Sequence, residues 1–115
     1  MNDIEIEDKL SYFIKEFSDN LYCLELLMFF SRHPNARFNR SAILHSVNIE
    51  HFEASISLKH LTDKKMVIAY PENGITLYGL TKQEPAHSLA AQLINIDQQQ
   101  WQVILQQLLN AQGIL

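Results

Sequence analysis

Apolar positions recur along this chain with two different periods, and the change between them outlines the elements. Leu10, Phe13, Ile14 and Phe17 repeat every three to four residues, which predicts an amphipathic helix over about residues 4–17. Ser18 or Asp19 can cap a second helix from about Asn20 to Arg32, because either side chain can accept from the orphan N–H groups of a first turn. That helix carries Leu21, Leu24, Leu27, Met28 and Phe30 and is apolar nearly all round, so it is expected to be the central, most buried one. Pro34 and Asn35 end it, and Phe38 falls in a short extended link. Asn39 then caps a short helix, Arg40 to Ser46, with Ala42, Ile43 and Val47 inward. Asn48 is the next expected cap, followed by a helix from about Glu50 to Lys64 bearing Ile49, Phe52, Ile56, Leu58 and Leu61.

At Met66 the period changes. Met66 to Tyr70 and Ile75 to Leu80 are rich in strand-forming residues, and Pro71-Glu72-Asn73-Gly74 lies between them. Asn-Gly supplies the positive φ angles of a tight hairpin turn. Thr81 and Glu84 have capping-box spacing and predict a helix through Ala86, Leu89, Ala90, Leu93 and Ile94. Asp97 and Gln100 predict a similar cap for a last helix with Trp101, Ile104, Leu105, Leu108 and Leu109, stopped at Gly113.

A short helix, a tight turn, a second helix and then a hairpin is the layout of a winged helix-turn-helix. Leu21 to Thr81, about half the chain, carries the resemblance. Ile56 to Val67 resembles the end of the recognition helix and the entry to the wing in MarR-, PadR- and ArsR-like bacterial regulators. Tyr78-Gly79-Leu80-Thr81 is similar to the segment closing the wing in those families. The pattern departs at Lys65, where many members have glycine; that is tolerated if the turn there avoids a strained φ. The expected architecture is mainly α with a small two-stranded β-wing: one domain over residues 1–115. Within it, 1–18 is an N-terminal helix, 19–81 the winged helix-turn-helix core and 82–115 the C-terminal helices.

Charge changes the picture in one respect. The net charge is −4, which by itself speaks against nucleic acid. Its distribution is uneven, however: residues 1–25 carry −5, residues 26–82 carry +3 and residues 83–115 carry −2. A basic centre between acidic ends points toward a polyanion-facing middle. The resemblance implies a regulator that places helix 48–64 in the major groove of duplex DNA. His51, Ala54, Ser57 and His60 would then face bases, and Arg32, Arg37, Arg40, Lys59, Lys64 and Lys65 would contact phosphates. Glu50 and Glu53, at the front of that helix, accept only from cytosine amino groups and repel phosphate. They also suit a helix N-terminus through its dipole alone.

The last helix has no charge after Asp97 and is flanked by glutamines, a face better suited to a partner helix than to bulk solvent. Phe13, Phe17, Trp101, Ile104, Leu105 and Leu108 are therefore the expected homodimer contacts, as the resembled families also imply; folding back onto the chain's own core is the alternative. A dimer cleft lined by Phe13, Phe17, Tyr22 and Trp101 could admit a small apolar effector, although aromatics at helical spacing are ordinarily core.

Other chemistry finds little support. The single cysteine, Cys23, excludes an intramolecular disulfide and sits in the most apolar helix. The histidines are scattered, no metal-ligand set stands out and no Gly-rich phosphate loop exists. The reading is a non-enzyme without metal or cofactor. No apolar run suffices for a membrane span, and the acidic N-terminus is unlike a signal peptide, so the expected location is the cytoplasm. A rival reading keeps the fold but makes it a protein-interaction module that binds no DNA. It is motivated by the acidic front of the 48–64 helix and the negative net charge.

Overall fold

A computed structural model describes residues 21–96, together with 99, 100, 102, 103 and 106. In chain order the elements are α1 (Leu21–Arg32), β1 (Phe38–Asn39), α2 (Arg40–Ser46), α3 (His51–Asp63), β2 (Val67–Glu72), β3 (Ile75–Leu80) and α4 (Ala86–Leu93). The protein is helix-rich, with a three-stranded antiparallel sheet in the order β1-β3-β2. The expected helix over residues 4–17, and the last helix's contacts through Trp101, Ile104, Leu105 and Leu108, lie outside the described residues.

α1 is the hub. Cys23, Leu24, Leu26, Leu27, Phe29, Phe30 and Ser31 are all buried along it, and it packs chiefly on α3, then on α4. Ile43, Leu58, Leu61, Met66, Val67, Leu80 and Leu93 close the core around it. Removing such side chains from water is worth roughly 1.5–3 kcal/mol each.

α2 begins as the sequence predicts: Asn39 Oδ1 accepts from Ala42 N at 2.8 Å. α3 does not. Its N-cap is Glu50 rather than Asn48, and no side chain caps it. Phe38 and Asn39 are more than a link: they pair with Tyr78 and Leu77 and add a third strand to the expected two. The hairpin forms at the expected turn, with Asn73 at φ 50° and Gly74 at φ 84°, both left-handed as a two-residue type I′ turn requires.

The box expected at Thr81 and Glu84 is absent. Thr81 Oγ1 accepts from Gln83 N at 3.2 Å, and the helix starts only at Ala86. Glu84 instead accepts from Ser88 N at 3.0 Å and from the Ser88 hydroxyl, one turn into α4. The Thr81 N–H donates to the Met66 carbonyl at 2.9 Å, so it is not available to the Glu84 carboxylate for the expected reciprocal bond.

Candidate nucleic-acid interface

α3 has two faces, and the packing of α1 decides which is inside. Ala54, Ser57, Leu58 and Leu61 follow the i, i+3, i+4, i+7 spacing of one helical face and are buried. Ala54 and Ser57 are small, so α1 approaches closely: Cys23 Sγ lies 4.0 Å from the Ser57 carbonyl oxygen. The expectation that Ala54 and Ser57 face bases is therefore corrected. At 0% and 1% exposure they are the seam between α3 and α1. His60 is half-buried, and of the four expected base-facing residues only His51 is exposed. Its ring stands 6.2 Å from that of His45, across the turn between α2 and α3.

The outward face carries two bulky apolar residues that the apolar period does not by itself place there. Phe52 is 66% exposed and Ile56 49%. They lie one turn apart, with Ser55 and Lys59 beside them. With Arg40, Leu58, Thr62 and Tyr78 they line a shallow depression of about 400 Å³ between α2, α3 and β3. Arg40 donates across it to the Ser55 hydroxyl. The signal was present in the sequence: Phe52 and Ile56 at i, i+4 cannot share a face with Ala54, Leu58 and Leu61. A count of apolar residues alone assigns the bulky pair to the core.

The expected phosphate-binding cations are only partly gathered. Arg40 and Lys59 share the depression. Lys59 Nζ is 2.8 Å from Asp63 Oδ2, a pair one helical turn apart and well exposed on both sides. Arg37 stands on the sheet, its guanidinium 3.7 Å above the Tyr70 ring and 3.5 Å from Glu72 Oε1. Lys64 ends α3, and Lys65 follows it, exposed, at φ 62°. Arg32 is exposed at the last turn of α1 and does not line the depression. Phe13, Phe17, Trp101, Ile104, Leu105 and Leu108, expected at a dimer interface, fall outside the described residues.

Among the described residues, no three of His, Cys, Asp or Glu are grouped so as to hold a metal ion. No helix among them is long and apolar enough to cross a membrane. No family model, curated protein or solved structure matches this chain.

Proposed function

We propose that the chain is a winged helix-turn-helix protein that binds duplex DNA as a homodimeric transcriptional regulator of the cytoplasm, without enzymatic activity. α2 and α3 form the helix-turn-helix, and β2 with β3 forms the wing. One observation carries this reading: the depression on α3's outer face is flanked by Arg40 from α2 and Lys59 from α3, with no carboxylate among its lining residues. A helix of about 10–12 Å diameter fits a major groove about 12 Å wide. Arg40 and Lys59 would meet phosphates at the groove edges, with Lys64 and Lys65 beyond the end of α3 and Arg37 beside the wing. The dimer would form through Phe13, Phe17 and the last helix, bringing two α3 helices to successive half-sites.

The test is fluorescence anisotropy with random-sequence duplex DNA at low and physiological salt. The five cations of each protomer give a slope of about −4.5 per bound protomer in log affinity against log salt, or a loss of roughly 500-fold between about 50 and 200 mM. Replacing Arg40 and Lys65 together by Ala lowers the slope by about two per bound protomer. Salt-independent affinity would refute the reading.

A second reading, a protein-interaction module that binds no DNA, is favoured by a separate observation. Two of the expected phosphate cations, Lys59 and Arg37, are already paired with Asp63 and Glu72, and the exposed face of α3 is apolar at Phe52 and Ile56. Absence of binding to duplex DNA at low salt would refute the first reading and leave this one to be tested by pull-down.

A further inference from the structure

We infer that Phe52 and Ile56 read the C5-methyl groups of thymine, so that the protein prefers T-containing duplexes by apolar contact rather than by hydrogen bonds. The inference rests on the reading that α3 enters the major groove. α3 is His-Phe-Glu-Ala-Ser-Ile-Ser-Leu-Lys-His-Leu-Thr-Asp and contains no Arg, Asn or Gln. Of the side chains that make bidentate contacts to guanine or adenine it carries only Lys59, whose ammonium is held by Asp63 at 2.8 Å. Ser57, which could have hydrogen-bonded to a base, is buried, and the Ser55 hydroxyl is engaged by Arg40.

What remains at the centre of the outward face is apolar: Phe52 at 66% and Ile56 at 49% exposure. Among the base edges of the major groove, only thymine offers an apolar group. Any other base edge would leave its donors and acceptors desolvated against hydrocarbon, which is unfavourable. Phe52 and Ile56 are four residues apart, about 6 Å along the helix, or between one and two base steps of about 3.4 Å. Two thymines one or two steps apart on a strand match that spacing. Arg40, whose partner is the neutral Ser55 hydroxyl, supplies the charge complementarity that would seat the apolar pair on DNA, and Lys59 joins it when its exposed pair with Asp63 gives way to phosphate.

Uracil differs from thymine only by that methyl group, so it isolates the contact. The full-length chain is titrated, at about 50 mM salt, into a fluorescein-labelled alternating A–T duplex and into the same duplex with deoxyuridine for thymidine. Each lost methyl contact weakens binding roughly fourfold, so the deoxyuridine duplex binds on the order of tenfold more weakly. The double variant Phe52→Ala with Ile56→Ala is checked for native circular dichroism, which its exposed positions should preserve. It binds both duplexes equally and keeps the native salt dependence.

Equal affinity of the unaltered chain for the two duplexes overturns the methyl inference while DNA binding stands. So does a double variant that keeps the thymine-to-uracil ratio. Absence of salt-sensitive binding to either duplex overturns the DNA reading itself and the inference with it.

Discussion

Lys65 couples stability to the proposed function, and its replacement by glycine tests both. α3 ends in a Schellman arrangement. Lys65 N donates to the Thr62 carbonyl at 3.0 Å and Met66 N to the Leu61 carbonyl at 3.0 Å, while Leu61 and Met66 are both fully buried. The geometry forces Lys65 to φ 62°, where a side chain crowds the backbone. Such a left-handed residue costs roughly 1–2 kcal/mol. Glycine removes that cost but gives back about 0.4–1 kcal/mol through the freer unfolded chain. Lys65→Gly should thus stabilise the fold by roughly 0.5–1 kcal/mol, or about 3–5 °C in Tm. Lys65→Ala keeps the strain, removes the same charge and should not stabilise. Urea and thermal unfolding of both variants measure the difference. If the glycine variant is no more stable than the alanine variant, the account of strain at this turn is wrong. In the DNA assay both variants should lose about one unit of salt slope, so the glycine variant gains stability while losing affinity.

The ring of Phe30 is wholly buried, 5.3 Å from Phe29 and 6.5 Å from Phe38; Phe30→Ala should cost about 3–5 kcal/mol in urea unfolding, and a loss under about 1.5 kcal/mol would contradict its central place. Asn39→Ala removes the α2 cap and should cost about 1 kcal/mol, whereas Asn48→Ala, at the position the sequence nominates but α3 does not use, should stay within about 0.5 kcal/mol; equal effects would refute the assignment of the caps. Gly79 lies where a Cβ would come 3.2 Å from the Ala36 carbonyl oxygen and 3.4 Å from Arg37 Cγ; Gly79→Val should push β1 from β3 and cost roughly 1–3 kcal/mol, read by the same unfolding measurement.

The elements that depend on near neighbours were legible in the sequence. The bounds of α2 and its Asn39 cap, the Asn73-Gly74 turn and the apolar α1 are decided within a few residues by side-chain reach and φ preference. The Thr81–Glu84 box failed for a less local reason: the Thr81 N–H is committed to the Met66 carbonyl, distant in sequence, and Glu84 accepts from Ser88 instead.

The candidate interface was less legible. The sequence showed that α3 exists and that cations surround it. It did not show which of two apolar faces turns inward, since Phe52 and Ile56 make as plausible a buried pair by period as Leu58 and Leu61.

The sequence by itself therefore determined where helices and turns occur, because those follow from local sterics and hydrogen-bond reach. Only the tertiary structure decided that Ala54 and Ser57 form the seam, that Phe38 and Asn39 become a third strand, and that Phe52 and Ile56 are left to solvent. The physical reason is shape: α1 can approach α3 closely only over its small residues, and the bulky pair is displaced to the opposite face.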